Sequence, residues 1–303
     1  MRILLQFPEG LKKNALEEAQ KLEEEGHEVY LSSSACYGAC DLPMEEASAL
    51  KIDRLIHFGH SRFIRKELPF QVEYREYYAD IDVKKLEGAL PSLEGKKRIV
   101  LVTTVQHVPQ LEQMKSFLEE NGKEVLIGKG CFAEYPGQVL GCDPTAATSV
   151  SENADAILYV GDGKFHPTGI HSALPVFSLN PYSGDCRKVN EEIERIRKRK
   201  KGRMLKALEC KTFAVLLSTK PGQFCPEVAA EAKKKLRDAG FTAEILVSNE
   251  FNPVSIGNFP QFECYINTAC PRIDEDSDLF DKPIINAVDL DDFLELYKDS
   301  GSG

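Results

Sequence analysis

At 303 residues the chain is long enough for two or three domains, and its 42% hydrophobic and 28% charged residues are typical of an ordinary globular protein. Its formal net charge of -10 argues against a protein that coats nucleic acid. No apolar run reaches the ~18 residues of a membrane span, and nine cysteines, an odd number, favour reduced thiols in a cytoplasm over a disulfide framework.

One pattern of strands and helices occurs three times along the chain. A compact apolar strand is followed by an amphipathic helix, a glycine that ends the helix and a second strand. The first strands are predicted at 2–7, 98–104 and 212–219, with stop glycines at Gly26, Gly122 and Gly240. Third and fourth strands are predicted at 53–60 and 72–78, at 155–163 and 175–181, and at 262–270 and 283–288. This alternation predicts an α/β fold of three related units with parallel sheets.

The three units divide the chain at about residues 90 and 188. The predicted domains are residues 1–90, residues 91–188 and residues 189–303, the last beginning with a charged helix that bridges into the third unit. The basic part of this helix, Arg195 to Lys206, is interpreted as a solvated face or linker, although it would also suit an acidic partner.

Each unit places one cysteine in a loop rich in Gly, Pro or Asp. Cys40 lies in CYGACD, directly after a predicted strand, Cys142 in GQVLGCDP and Cys270 in NTACPR. We therefore predict that these three thiols converge on one metal centre. Cys36 and Cys40 form a CxxxC pair, a weak signal without a second close pair, so a zinc ribbon is disfavoured. The other cysteines are interpreted as inert apolar residues: Cys131, Cys186, Cys210, Cys225 and Cys264.

Three further loops have the composition of binding sites. In GDGKFHP (161–167) glycines would let backbone amides approach an anionic ligand, or simply make a turn. Gln106 and His107 lie where the first strand of the second unit enters its helix, a common binding position. Arg272 would clamp a carboxylate with two hydrogen bonds or cap a strand end.

At these residues the sequence resembles the diphthamide biosynthesis radical enzymes in their archaeal single-chain form. The matching stretches cover the chain almost end to end: YGACD, HFGHSR (57–62), GQVLGCD, YVGDGKFHP (159–167), NPYS (180–183), STKPGQ (218–223) and ACPR. The resemblance implies a pseudo-threefold arrangement of the α/β units around a central 4Fe-4S cluster. The cluster ligands that it implies are Cys40, Cys142 and Cys270, whereas Cys36 falls where the family pattern requires no cysteine.

The implied reaction is the first step of diphthamide synthesis. The 3-amino-3-carboxypropyl group of S-adenosylmethionine is transferred to an imidazole carbon of one histidine on translation elongation factor 2, and 5′-methylthioadenosine is released. The expected S-adenosylmethionine contacts are Tyr37, Gly38, Gln106, His107, Asp162, Gly163 and Arg272. An electron donor and a second copy of the chain are the other expected partners, in the cytoplasm, with no nucleic acid and no membrane.

Two other functions fit the same cysteine pattern. A dehydratase similar to quinolinate synthase shares three α/β units and a three-cysteine cluster, and it uses the open iron as a Lewis acid. A protein that binds an iron-sulfur cluster only to sense redox state is the alternative from another class. Binding of S-adenosylmethionine separates both from the transferase.

Overall fold

The computed structural model describes residues 1–273 and 279–300. By compactness the chain divides into a first compact unit, Met1–Ile193, and a second compact unit, Glu194–Gly303. The first compact unit contains two sheets and the second contains one. The predicted boundary near residue 90 therefore separates two sheets of one compact unit.

The first sheet is parallel throughout and has the strand order β2-β1-β3-β4. Its elements are β1 (Arg2–Gln6), α1 (Ala15–Glu24), β2 (Glu28–Leu31), α2 (Met44–Leu50), β3 (Arg54–Phe58) and β4 (Gln71–Arg75). Neighbouring residues of β1 point to opposite faces: Leu5 packs in a core with α1, and Leu4 packs in a core with α2. Because both faces of the sheet are covered, its strands read as continuous apolar runs.

The second sheet repeats this order as β6-β5-β7-β8 and adds a fifth, antiparallel strand, β9. Its strands are β5 (Arg98–Thr103), β6 (Glu124–Leu126), β7 (Ala156–Val160), β8 (Val176–Leu179) and β9 (Cys186–Lys188). Its helices are α3 (Leu111–Glu120), α4 (Thr145–Thr148), α5 (Phe165–Thr168) and α6 (Asn190–Ala207), the predicted basic helix. Strand β9 was not predicted, since three residues carry too little periodicity.

The third sheet, in the second compact unit, is parallel with the order β11-β10-β12-β13. Its strands are β10 (Thr212–Ser218), β11 (Thr242–Ser248), β12 (Cys264–Asn267) and β13 (Ile284–Asn286), and its helices are α7 (Pro226–Asp238), α8 (Pro253–Gly257) and α9 (Leu290–Asp299). The same order in all three sheets confirms the predicted α/β fold of three related, predominantly parallel sheets.

The predicted stop glycines end the equivalent helices of the three sheets. Gly26, Gly122 and Gly240 follow α1, α3 and α7 with φ angles of 84°, 77° and 89°. Residues other than glycine rarely adopt this left-handed backbone conformation, which turns the chain from the helix into the next strand.

Candidate metal centre

The loop that carries Cys40 connects β2 to α2. The prediction that Cys40 directly follows a strand was wrong, because β2 ends at Leu31 and the serine-rich segment after it leaves the sheet. The ammonium group of Lys12 binds the carbonyl oxygens of Ser33 and Ser34, at 3.2 and 3.0 Å. These carbonyls therefore satisfy their hydrogen bonds without extending the strand.

Backbone and side-chain hydrogen bonds hold the Cys40 loop in one turn. The Asp41 backbone N–H donates to the Gly38 carbonyl at 3.0 Å, and the Asp41 carboxylate accepts from the Tyr37 backbone N–H at 3.3 Å. Gln6, the last residue of β1, donates its amide Nε2 to the Asp41 carbonyl at 2.7 Å. Tyr37 is 65% exposed, whereas Cys40 is half-buried. The thiol of Cys40 thus lies on a loop that is anchored to the end of a central strand.

Two histidines continue from Gln6, of which His57 is buried and His60 is half-buried. The Gln6 Oε1 atom lies 2.7 Å from His57 Nδ1, and His57 Nε2 lies 2.9 Å from His60 Nδ1. Burial lowers the pKa of His57 well below its ordinary value, and burial lowers the pKa of His60 to about 4. Both imidazoles are therefore neutral at physiological pH. The sequence analysis noted HFGHSR without giving either histidine a role.

Cys36 lies beside these histidines at a spacing that a metal site would also show. One ligand atom from each of Cys36, His57 and His60 lies within 4.8 Å of the other two. Two nitrogens bound to tetrahedral zinc at about 2.0–2.1 Å would be about 3.4 Å apart, whereas the two imidazole nitrogens here are 2.9 Å apart. This shorter distance is that of a direct hydrogen bond. Burial also raises the pKa of the Cys36 thiol to about 12. We therefore interpret this group as a hydrogen-bonded histidine pair with a neutral thiol beside it.

Asp143 organises the loop that carries Cys142. Its Oδ2 atom accepts the backbone N–H groups of Phe132 and Ala133, at 2.6 and 3.2 Å, and its Oδ1 accepts that of Thr145 at 3.0 Å. Burial alone would raise the pKa of Asp143, but hydrogen bonds from the Thr145 hydroxyl and from these N–H groups outweigh it, and the net pKa is lowered. The charged carboxylate is therefore the form that holds the loop together, with the Cys142 side chain exposed.

The GDGKFHP loop meets the Cys142 loop. A Cβ atom added to Gly141 would lie 2.0 Å from Cε1 of the Phe165 ring, so the ring packs directly on the glycine backbone. Phe165 is nevertheless about half exposed. The structure thus brings together two segments that the sequence analysis had selected separately.

The other residues of the first compact unit that were predicted to bind S-adenosylmethionine lie at the carboxyl edge of the second sheet. Asp162 Oδ1 accepts hydrogen bonds from the Gly163 N–H and from Asn180 Nδ2, at 2.7 and 2.9 Å. His107 is buried, its Nδ1 lies 3.0 Å from the Ala79 carbonyl, and its ring packs edge-on against Tyr182. Burial lowers the pKa of His107. Gln106, next to it, is exposed. Loops after three parallel strands therefore meet at one edge, as in other α/β proteins.

In the second compact unit, two asparagines hold the Cys270 loop. Asn267, the last residue of β12, donates to the Cys270 carbonyl at 2.8 Å and to Asn286 Oδ1 at 2.7 Å. Asn286, the last residue of β13, donates to the Pro271 carbonyl at 2.9 Å. Cys270 is half-buried, and Arg272 is buried. Neither asparagine was predicted to have a role, because both lie inside the predicted strands 262–270 and 283–288, whereas the observed strands end at these two residues.

The basic helix is partly used within the second compact unit. Lys200 forms an ion pair with Asp289 at 2.8 Å, and Arg203 Nε donates to the Ile284 carbonyl at 3.3 Å. The neighbouring basic residues Arg197, Lys198 and Arg199 are exposed. Among the described residues, no helix combines the length and apolar character that crossing a membrane requires.

The thiol chemistry of the described chain suits an iron-sulfur cluster. None of the nine cysteines forms a disulfide. Cys36, Cys210 and Cys264 are buried, whereas Cys40, Cys142 and Cys270 are half-buried or exposed and lie in loops fixed by polar side chains. Cys131 is also exposed and lies in the Asp143 loop, where its backbone N–H binds the Thr145 hydroxyl at 2.8 Å. Exposure alone therefore does not separate Cys131 from Cys142.

Comparison with known proteins gives a consistent answer. Residues 7–301 match the family model described as putative diphthamide synthesis protein. The chain is 35% identical to 2-(3-amino-3-carboxypropyl)histidine synthase of Pyrococcus horikoshii, over 98% of this chain and 87% of that one. It is 28% identical to subunit 1 of the enzyme of that name from Caenorhabditis elegans, over 95% of this chain and 74% of that one.

A solved structure matches over nearly the same length. The crystal structure of Dph2 from Pyrococcus horikoshii with a 4Fe-4S cluster superposes with a TM-score of 0.88 and 34% identity, over 97% of this chain and 86% of that one. Together, the family match, the sequence identity and the shared fold show that this chain belongs to the diphthamide synthesis protein family.

Proposed function

We propose that this protein is a 2-(3-amino-3-carboxypropyl)histidine synthase that acts on translation elongation factor 2. The observation that supports this most is the 35% identity to the Pyrococcus enzyme of that name, which extends over 98% of this chain. The reaction would transfer the 3-amino-3-carboxypropyl group of S-adenosylmethionine to an imidazole carbon of one histidine. A substrate that works in translation places the protein in the cytoplasm.

The proposed cluster ligands are Cys40, Cys142 and Cys270. Each lies in a loop whose backbone is held by neighbouring polar side chains, and each thiol is at least partly accessible. Three thiolates would leave one iron of a 4Fe-4S cluster open to S-adenosylmethionine, and the cluster would supply the electron that cleaves its sulfonium. The crystallised relative carries a cluster of this type.

The residues proposed to bind S-adenosylmethionine suit its different parts. Arg272 would bind the methionine carboxylate through a charge-assisted pair of hydrogen bonds. A Cβ atom added to Gly163 would have no atom within 4 Å, so the backbone there leaves room for a polar ligand. Tyr37 and Gly38 lie three and two residues before Cys40. Gln106 presents an exposed amide, and the buried His107 beside it would hold this loop in place.

The atoms of the proposed reaction balance as a substitution. The bond between sulfur and the γ-carbon of the methionine part breaks, methylthioadenosine leaves, and a carbon-carbon bond forms to the imidazole. The imidazole carbon loses its proton, and the electron that starts the cleavage returns when the ring regains aromaticity. Orientation of the sulfonium selects which of its three carbon-sulfur bonds breaks.

Chromatography of the nucleoside products tests this proposal. Under anaerobic conditions, the reconstituted protein with S-adenosylmethionine and a reductant should release 5′-methylthioadenosine. Elongation factor 2 should gain the 3-amino-3-carboxypropyl group on one histidine. Cleavage of the sulfonium on its ribose side would give 5′-deoxyadenosine instead, and 5′-deoxyadenosine as the main enzyme-dependent product would contradict the mechanism. A protein that holds a cluster but does not bind S-adenosylmethionine would instead be a dehydratase or a redox sensor. A homodimer and a separate electron donor complete the proposal.

A further inference from the structure

A chain of polar side chains, all but one of them buried, connects the Cys40 loop to the Cys142 loop within the first compact unit. Its members are Gln6, His57, His60, Ser61 and Gln138, which we call the polar chain. Gln6, His57, Ser61 and Gln138 are each less than 5% exposed. These residues come from three distant parts of the sequence, and none of them is among the proposed cluster ligands or S-adenosylmethionine contacts.

The hydrogen bonds at the first end of the polar chain determine the protonation of His57. Only the NH₂ group of Gln6 can donate to the Asp41 carbonyl, so the Gln6 oxygen must face His57 Nδ1. His57 therefore carries its proton on Nδ1. Its Nε2 is then an acceptor, and the donor is the Nδ1–H group of His60, at 2.9 Å. This assignment follows from the hydrogen-bonding partners alone.

The other end of the polar chain reaches the Cys142 loop. Ser61 directly follows His60, and its hydroxyl accepts a hydrogen bond from Gln138 Nε2 at 2.7 Å. The backbone beside Gln138 is added to the second sheet, because Thr103 N–H donates to the Gly137 carbonyl and Val139 N–H donates to the Thr103 carbonyl, at 2.8 and 2.9 Å. The turn that contains Cys142 starts at the next residue, Leu140, whose N–H binds the Asp143 carbonyl at 3.0 Å.

The polar chain consists of two hydrogen-bonded parts, Gln6–His57–His60 and Ser61–Gln138, which are joined by the peptide bond between His60 and Ser61. A buried polar group that loses its partner destabilises the fold, because no water replaces the lost hydrogen bond. A change at Gln138 therefore leaves Ser61 without its donor, and a change at Gln6 releases both the Asp41 carbonyl and His57. The chain favours one relative position of the two cysteine loops.

We propose that the polar chain is a positioning network that sets the placement of Cys40 relative to Cys142, and so the surroundings of the metal that these thiols hold. This inference rests on the proposed function, since it takes Cys40 and Cys142 as cluster ligands. The polar chain itself touches neither reacting group. Its effect is to keep two ligands, more than a hundred residues apart in sequence, at a constant separation.

The substitutions Gln138→Leu and Gln6→Leu test the network in the full-length, anaerobically reconstituted protein. Each keeps the approximate side-chain volume and removes the amide hydrogen bonds, with all cysteines intact. We expect both variants to bind iron but to show shifted electron paramagnetic resonance g values in the reduced state. Because small displacements of reacting groups reduce rates strongly, methylthioadenosine formation should fall about ten- to a hundredfold with little change in the KM for S-adenosylmethionine.

Gln110→Leu is the matched control. Gln110 also makes two amide hydrogen bonds, to the N–H and the carbonyl of Ile81, both at 2.9 Å, but it lies outside the polar chain. A similar loss of thermal stability with wild-type g values is expected for this variant. Wild-type g values in both Gln138→Leu and Gln6→Leu would overturn the proposal, as would an equal shift in Gln110→Leu.

A second measurement decides the case if these variants do not fold. In the wild-type protein labelled with ¹⁵N-histidine, His57 should be neutral and protonated on Nδ1; the Nε2-protonated form would overturn the network. The proposed function fails separately: if wild-type protein holds a cluster but forms no methylthioadenosine, shifted g values in the variants still support the positioning network.

Discussion

The Cys142 loop and the Cys270 loop are held in place by different means. Cys142 lies in the long connection between the second and third strands of its sheet, where the carboxylate of Asp143 gathers backbone N–H groups. Cys270 follows the third strand of its sheet, and the amides of Asn267 and Asn286 bind its backbone carbonyls. One loop is organised by a carboxylate that accepts N–H groups, and the other by neutral amides that donate to carbonyls and also accept, as Asn267 does from the Ala269 N–H at 3.0 Å.

This difference shows which part of the structure is repeated. The order of the first four strands is the same in all three sheets, but the Cys270 loop lies in a different connection from the other two cysteine loops. Cys40, like Cys142, lies between a second and a third strand. Each sheet therefore offers its own loop the same kind of carboxyl edge for chemistry, whereas each loop depends on its own polar side chains. Substitutions at Asp143 should therefore leave the Cys270 loop unchanged, and substitutions at Asn286 should leave the Cys142 loop unchanged.

The largest expected effect comes from removing a proposed ligand from either loop. Cys142→Ala and Cys270→Ala should each abolish or severely reduce the visible iron-sulfur absorbance of anaerobic protein, because the two loops would contribute equally to the cluster despite their different positions. Cys131→Ser is the matched control, since Cys131 is also exposed and belongs to the Asp143 loop. Unchanged absorbance in Cys142→Ala would disprove its role as a ligand.

An intermediate effect is expected from Asn286→Leu, which should disturb the Cys270 loop alone. The substitution removes the donor to the Pro271 carbonyl and the acceptor for Asn267. Loss of these buried hydrogen bonds should lower the free energy of unfolding by about 1–3 kcal/mol, and the iron bound per chain should fall. Thermal melting and iron analysis measure the two effects.

Asn190→Leu provides a control of the same kind for Asn286→Leu. Asn190 binds the Val176 N–H and the Leu174 carbonyl, at 2.8 and 3.0 Å, away from every cysteine loop. The Asn190→Leu variant should be less stable than the wild-type protein but should keep its iron content. Equal iron loss in both variants would show that Asn286 acts only through general stability.

The smallest effect is a pH dependence confined to the Cys142 loop. Because the pKa of folded Asp143 is lowered, its stabilising contribution is fully present above the ordinary carboxyl pKa of about 4 and is lost as pH falls through the folded value. The difference in melting temperature between wild-type protein and Asp143→Asn should therefore be largest above about pH 5 and shrink in acid. A difference that stays constant with pH would contradict this, and Asn286→Leu should show no such trend.

Much of the fold was predictable because its signals are local. The apolar strands and the glycines after α1, α3 and α7 depend on neighbouring residues, and the predicted alternation of strand and helix along the chain was confirmed. Strand lengths were less predictable: the stretch HEVYLSSS predicts that the second strand of the first unit spans residues 27–34, but β2 ends at Leu31, where Lys12 binds the following carbonyls. A contact between residues so far apart has no signature in a short window of sequence.

The sequence by itself determined the family, the α/β repeat and three cysteines in corresponding motifs, because each of these depends on residue identity and short-range spacing. Their assignment as cluster ligands stays a prediction. Only the tertiary structure revealed that Gln6 reaches Asp41 and His57, that Gln138 reaches Ser61, and that Asn286 supports the Cys270 loop. These roles arise when folding buries polar groups and forces each one to find a partner that is distant in sequence.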